Sequence, residues 1–386
     1  MSGKSSWSRR GFFTARGLGA CTGGLVAELL PDGPAPRSVA PSATANLCVA
    51  RRAMACEFNV FLPPSVPLGI AAAEAALDTI DEYENLLTVY SGSSPMSYVN
   101  QTAANGPVRV DNRLFELLTR AEDLHEQTGG AFDIAAGALV KAWGFFDGAK
   151  RVPAEPERQA ALARIGMRHV ILDRAARTVH YRTRGVEINL GSIGKGYAID
   201  RAVSRLRGDF GVPAALVQGG LSSLYGLGSP DGDERGWLVG IQNPWDAGRL
   251  VASVRLRDRA LGTSSASNQY FEQDGRRFGH VLDPRTGWPA EGLASASAIC
   301  DDAATADALA TAFFVMGLDK TRDFCHNHPA VAALLVLQPG DSCGTSDPPQ
   351  VVTFNLPKKD VNLDPGDSLP PAGLSNVVAR PGDGRG

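Results

Sequence analysis

The sequence predicts an α+β fold in which antiparallel or mixed sheets pack against helices. Helix-period apolar runs come first and strand-like runs follow them, a grouping that does not suit regular strand–helix–strand winding. Hydrophobic residues make up 44% of the 386-residue chain and charged ones 20%, which suits a soluble globular protein with a large core, built as one large domain or two ordinary ones. The formal net charge of -3 gives no bulk attraction toward nucleic acid. No apolar run is long enough to leave a membrane span in the mature chain.

The N-terminus reads as a targeting segment. Ser8-Arg-Arg-Gly-Phe-Phe13 has the form of a twin-arginine export signal, followed by a moderately apolar stretch to Leu30 and a Pro/Ala/Ser-rich spacer to Ala45. Leu18-Gly-Ala-Cys21 resembles a lipoprotein cleavage box. Residues 1–45 are therefore expected to be signal and spacer, 46–357 the folded domain, and 358–386 a Pro/Gly-rich disordered tail. The expected location is periplasmic, or membrane-associated on the outer side of the cytoplasmic membrane. Six cysteines without a CxxC pair, one of them in the signal, argue against a complete disulfide framework.

Within the domain, Asn46 to Leu62 reads as a strand pair or one long strand, ended by Pro63-Pro64. Leu68 to Leu87 is an amphipathic helix with Ala73, Ala76, Leu77, Ile80, Tyr83 and Leu87 on one face. Thr88 to Asn100 reads as a polar loop. Asn112 to Gln127 is a second helix, stopped by Gly129-Gly130, and Pro153 to Arg164 a short third. Arg168 to Asp173 and Thr178 to Arg182 form a hairpin, and Gly185 to Asn189 a further strand. Later strands are read at Ala214 to Gln218, Trp237 to Ile241, Leu250 to Leu256, Gln269 to Phe271, Ala294 to Cys300 and Ala330 to Leu337. A strong apolar helix spans Asp302 to Met316.

The most informative stretch is Asn189-Leu-Gly-Ser-Ile-Gly-Lys-Gly-Tyr-Ala-Ile-Asp200. Glycines at 191, 194 and 196 clear the turn, and Lys195 adds positive charge where a helix start already favours an anion. It is a plausible phosphate cradle, although a plain strand-to-helix turn fits the same residues. The P-loop and dinucleotide fingerprints both fail on spacing. Asp307 and Thr311 stand four apart on a helix and offer two hard oxygens, which suits Mg²⁺ or Ca²⁺, although an exposed Asp with a Thr bonded back to the helix fits the same pair. His280, before Asp283-Pro284, can carry a proton near neutral pH. Gly129 to Asp133 presents a ring and a carboxylate at a turn. A zincin pattern begun at His125-Glu126 is broken by Gly129, Cys325-His-Asn-His328 has poor metal spacing, and no GxSxG elbow occurs.

Taken in order, these pieces resemble the FAD:protein FMN transferases, the ApbE-type flavin transferases. The likeness runs from about Arg52 to Leu337. Its landmarks are Met54, Leu87-Thr-Val-Tyr90, Gly130-Ala-Phe-Asp133 with Trp143-Gly-Phe145, Asn189 to Tyr197, Thr263-Ser264, Asp274-Gly275, His280 to Pro284 and Ala306-Asp-Ala-Leu-Ala-Thr311.

The resemblance implies a T-fold-related architecture and an enzyme that uses Mg²⁺, with Ca²⁺ as the other option. FAD is its substrate. The pyrophosphate is cleaved, FMN passes to a Thr or Ser hydroxyl of an acceptor flavoprotein carrying a Ser/Thr-Gly-Ala-Ser/Thr motif, and AMP leaves. Carried over by position, Met54, Tyr90, Ala131, Phe132, Asp133, Asn189, Lys195 and the Val281 backbone contact FAD. Asp307, Thr311 and the Ser192 carbonyl hold the cation, and His280 and Asp307 are the catalytic pair. Asn189 stands where family members usually carry Asp, and Ala55-Cys56 replaces the usual Gly-Thr. A Mg²⁺-dependent FAD pyrophosphatase and a non-catalytic FAD carrier are the competing functions.

Overall fold

The computed structural model describes residues 46–146, 148–230, 234–265, 270–339, 349–363 and 377–380. The export signal and spacer expected at residues 1–45 lie outside the described residues.

The chain opens as a hairpin of β1 (Leu47–Ala53) and β2 (Cys56–Leu62). Met54 and Ala55 both have positive φ, the two-residue turn whose twist matches that of the paired strands. Helix α1 (Gly69–Leu87) buries every apolar residue predicted for its inner face. The polar segment after it is not all loop. Ser94 accepts the Ser97 N–H at 3.0 Å and Pro95 takes the first turn, so Pro95–Thr102 forms helix α2. β3 (Val108–Arg109) leads to α3 (Asn112–Gln127), which Asp111 caps, and then to α4 (Gly137–Ala142) and α5 (Glu155–Leu162).

β4 (Val170–Asp173) and β5 (Thr178–Tyr181) form the expected hairpin, and β3 extends it to three strands. Gly185 to Asn189 is not a strand, and Gly185 itself lies in a turn with φ 86°. The segment's backbone bonds go elsewhere: the Asn189 N–H donates to the Ile134 carbonyl, the Glu187 carbonyl accepts the Gly137 N–H, and a side chain serves Ile188. Asn100 donates from Nδ2 to the Ile188 carbonyl at 2.8 Å, and its Oδ1 accepts the Ile188 N–H at 2.9 Å. The helix after the glycine bend, α6 (Gly194–Phe210), begins earlier than Tyr197 and takes Lys195 and Gly196 into its first turn.

The remaining elements are β6 (Ala215–Gly219), β7 (Ser223–Leu227), β8 (Trp237–Asn243), β9 (Asp246–Leu256), β10 (Arg259–Ser265), β11 (Tyr270–Gln273), β12 (Arg276–Gly279), β13 (Leu293–Cys300), α7 (Ala303–Asn327), β14 (Ala332–Leu337), β15 (Val351–Phe354), β16 (Val361–Asn362) and β17 (Val377–Arg380). α7 runs past Met316 across a break at Gly317, where φ is 74°. β16 pairs with β9 and β17 with β8. Of the tail expected to be largely disordered at 358–386, these two short strands lie in its described part, and residues 364–376 and 381–386 lie outside the described residues.

An antiparallel sheet in the order β1-β2-β6-β7-β10-β13-β14-β15 forms the centre. One face carries α1, α6 and α7. The other carries the sheet β16-β9-β8-β17. Strand residues divide between the two cores by alternation: Ala333 and Leu335 face the helices, while Ala332, Leu334 and Val336 face the smaller sheet. A register shift between Leu293 and Ser295 changes the phase in β13. All eight β13 residues are buried, which explains its run of small side chains beneath α7. A satellite core around Trp143 and Phe278 joins α4 and α5 to the β11–β12 hairpin. Among the described residues, Cys48, Cys56, Cys300 and Cys325 form no disulfide.

Candidate active site

The site is built where α6 and α7 begin. The first N–H groups of a helix have no partner inside it, and Ile193, the residue before α6, supplies no side-chain cap. The Gly196 N–H donates instead to Oδ2 of Asp307 at 2.8 Å. A carboxylate from one helix thereby completes the start of the other. Such close approach requires glycine, because a Cβ on Gly196 would lie 2.0 Å from the Ala303 carbonyl oxygen. From the sheet side, a Cβ on Gly262 would lie 2.4 Å from the Ala306 carbonyl. The start of α7 is wedged between α6 and β10 with no spare volume.

Asp307 is 6% exposed. Burial pushes its pKa up to about 6, against the nearby positive charge of Lys195 and hydrogen bonds from Ser223 and the Gly196 amide, which favour the ionised form. Lys195 donates from Nζ to the Ser222 hydroxyl. One turn along α7, the Thr311 hydroxyl lies 3.1 Å from that of Ser264 on β10. Asp307, Thr311 and Ser264 are hard oxygen donors with a single formal charge among them. Among the described residues no cluster of three or more His, Cys, Asp or Glu forms a complete metal cage. One carboxylate beside neutral hydroxyl oxygens is a donor set suited to a cation such as Mg²⁺, which keeps waters and takes phosphate oxygens beside one or two carboxylates. The Ser192 carbonyl belongs to the same bend, and the N–H four residues on, that of Gly196, is engaged with Asp307.

The other sequence-derived residues distribute around this junction. The β1–β2 tip reaches it: the Cys56 thiol feels the charges of Lys195 and Asp307, and burial raises its pKa. The Met54 N–H donates to Oε1 of Glu84 at 2.8 Å. Asn189 makes a local turn, its Oδ1 accepting the Gly191 N–H at 2.9 Å, and lines a cleft of about 170 Å³ with Phe146 and Lys141. Tyr90, 72% exposed, stacks on Phe146 with ring centroids 4.8 Å apart. The bend therefore has an aromatic-edged cleft before it and the Lys195–Asp307 pair after it.

Ala131 and Phe132 are packed in the core at 1% exposure. The Asp133 carboxylate accepts the Ala135 N–H at 2.8 Å and the Met167 N–H at 3.2 Å, with His125 Nδ1 3.3 Å away, and burial raises its pKa. The next residue ties this turn to the bend: the Asn189 N–H donates to the Ile134 carbonyl at 2.8 Å. His280 lies on a separate segment, edge-on to Phe145 at 6.4 Å, and the Val281 carbonyl accepts the Ala290 N–H. Sequence reading did not single out Ser222, Ser223 or Glu84, and it named Ser264 and Asp200 only as parts of longer stretches, with no role of their own. Their roles arise only from the crossing of elements distant in sequence.

The fold and this junction define a class of protein that presents a lysine, a helix start and hard oxygen ligands to one small volume, a site suited to a phosphorylated ligand with a divalent cation. A sequence model of the ApbE family matches residues 54–335, and the chain belongs to that family. Among its relatives, the FAD:protein FMN transferase of Treponema pallidum is 35% identical over 280 residues, covering 69% of this chain and 77% of that protein. The enzyme of the same name from Klebsiella pneumoniae is 34% identical over 252 residues, 65% of this chain and 77% of its own. Among solved structures, the ApbE protein of Thermotoga maritima superposes with a TM-score of 0.70 at 31% identity, covering 76% of this chain and 94% of that one. The apo form of the flavinyl transferase ApbE of Pseudomonas stutzeri gives 0.68 at 26%, with 80% and 94% covered.

Proposed function

We propose that the chain is an FAD:protein FMN transferase. It cleaves the FAD pyrophosphate with Mg²⁺ present and attaches the FMN half to a Ser or Thr hydroxyl of an acceptor flavoprotein carrying a Ser/Thr-Gly-Ala-Ser/Thr motif. The observation that carries this reading is the meeting of Lys195, the α6 start and Asp307 at one point. The names of the relatives support it.

In this reading FAD lies across the bend, with its rings toward Tyr90 and Phe146 and its diphosphate toward Lys195. Asp307, Thr311 and the Ser192 carbonyl hold the cation, with Ser264 beside Thr311. When bound, the cation neutralises phosphate charge as it develops. Lys195 holds the remaining phosphate charge in position. The acceptor hydroxyl oxygen bonds to the FMN phosphorus, and the bond from that phosphorus to the bridging oxygen breaks. AMP departs with the electron pair, and the hydroxyl proton passes to a base, for which His280 is the candidate. In the same reading the chain leaves by the twin-arginine route, which carries folded proteins, and the reaction runs outside the cytoplasm.

The test is one incubation of protein, FAD, Mg²⁺ and an acceptor domain. Flavin fluorescence that remains on the acceptor after denaturation is the expected result. Free FMN and AMP without labelling would instead define a pyrophosphatase, and tight FAD without turnover a carrier.

A further inference from the structure

The α6–α7 crossing contains a second carboxylate contact, opposite in direction to the first. Asp302 caps α7 by accepting the Thr305 N–H at 2.8 Å, which leaves the first two amides of the helix without a partner. Asp200 of α6 takes both: the Ala303 N–H donates to Oδ1 at 2.7 Å and the Ala304 N–H to Oδ2 at 3.0 Å. Asp200 is 8% exposed.

The geometry is a square of two helical i,i+4 pairs. Gly196 and Asp200 share one face of α6, and Ala303 and Asp307 share one face of α7. Asp200 grips the Ala303 amide, Gly196 lies against the Ala303 carbonyl, and Asp307 accepts the Gly196 amide. Each helix start, with its partial positive charge, is closed by a carboxylate from the other helix. The axial position and rotation of the first turns of α7 are therefore set by Asp200. Asp307 is carried on those turns, so its carboxylate position is set as well.

We propose that Asp200 is a positioning residue for Asp307 and thereby sets the affinity of the site for a divalent cation, without itself touching the cation or the flavin nucleotide. The proposal rests on the reading of Asp307 as a cation ligand. Partners that orient a metal ligand from behind typically contribute about ten- to hundredfold in affinity. Asp200→Asn keeps the shape but offers one acceptor oxygen where two are needed, so the α7 start loses half its grip.

The test is titration of the purified protein with Mn²⁺, reading free Mn²⁺ by electron paramagnetic resonance, together with thermal melting. The proteins compared are wild type, Asp200→Asn, Asp307→Ala and Val179→Ala. Val179→Ala removes buried volume from β5, which pairs with β3 and β4, and lowers stability without touching the residues of the α6–α7 square. Asp200→Asn is expected to weaken Mn²⁺ binding by about tenfold or more. Val179→Ala is expected to lower the melting temperature and leave Mn²⁺ affinity unchanged. Asp200→Ser, which retains a single acceptor, gives the same reading if the Asn variant does not fold. Wild-type Mn²⁺ affinity in the Asp200 variants, with binding lost in Asp307→Ala, would overturn the positioning role and leave the cation reading standing. Wild-type affinity in Asp307→Ala would overturn both.

Discussion

Asp200 and Asp307 lie on the two helices that cross at the site, and each carboxylate closes the start of the helix opposite its own. Neither contact can form until α6 and α7 have crossed. The site is thus a product of tertiary packing and not of the glycine bend alone. It also places buried carboxylates next to helix starts, where partial positive charge offsets part of the cost of burial.

Removing Asp307 should separate chemistry from folding. Asp307→Ala deletes the single carboxylate of the proposed cation site and leaves the Gly196 amide buried and unpaired. The orphaned amide costs about 1–3 kcal/mol of stability, which a domain of this size tolerates. Loss of several kcal/mol of charge stabilisation should lower turnover by roughly a thousandfold or more. Acceptor labelling rates and a circular-dichroism melt check both halves. Wild-type rates would remove Asp307 from the reaction.

Two glycines of α6 should respond in opposite directions to the same change. A Cβ at Gly196 meets the Ala303 carbonyl at 2.0 Å, so Gly196→Ala must force the helices apart. The expected cost is about 3 kcal/mol, the upper end for overpacking, together with loss of activity. Gly208 is exposed, and a Cβ there would meet nothing within 4 Å. Gly208→Ala should stabilise the protein by about 0.5–1 kcal/mol through helix propensity and leave activity intact. Denaturant melts of the two variants measure the contrast.

Much of the fold was legible because the relevant signals are local. α3 follows from its apolar stripe, and Asp111 begins it where the pattern starts. α2 escaped notice because it is short and polar, although Ser94 and Pro95 carried a start signal. Gly185 to Asn189 reads like a strand in sequence, but its backbone groups pair with Asn100, Ile134 and Gly137 and not with a neighbouring strand. In the candidate site, Lys195, Asp307 and Thr311 drew attention by residue type and spacing, and their proposed roles came with the family resemblance. Asp200 was visible only as the end of a motif, since the amides it binds lie more than a hundred residues away. Likewise nothing in the local sequence of Ser222 indicates the Lys195 ammonium it receives.

Lys195 should matter for binding more than for folding. Its ammonium reaches a neutral hydroxyl, Ser222, and lies close enough to Asp307 to oppose the rise in that group's pKa. Lys195→Ala removes a charge-assisted phosphate contact worth about 1.5–3 kcal/mol, so FAD affinity should fall about ten- to a hundredfold. Quenching of FAD fluorescence on titration reads the change directly. An unchanged dissociation constant would place the diphosphate elsewhere.

The pH dependence of stability should carry the signature of Asp200. Burial and the nearby Asp302 charge raise its pKa from 3.8 to about 7, although two amide hydrogen bonds favour the ionised form. In the unfolded chain the same group releases its proton near pH 4. Between these values the folded state holds a proton that the unfolded state has lost, so this contribution to stability declines as pH rises from about 4 to about 7 and is level above. Asp200→Asn cannot titrate. The stability of wild type minus that of Asp200→Asn, measured by urea melts across that range, should be greatest near pH 4 and decline toward pH 7. A difference that stays constant with pH would mean that Asp200 remains ionised throughout, with its two amide partners outweighing burial.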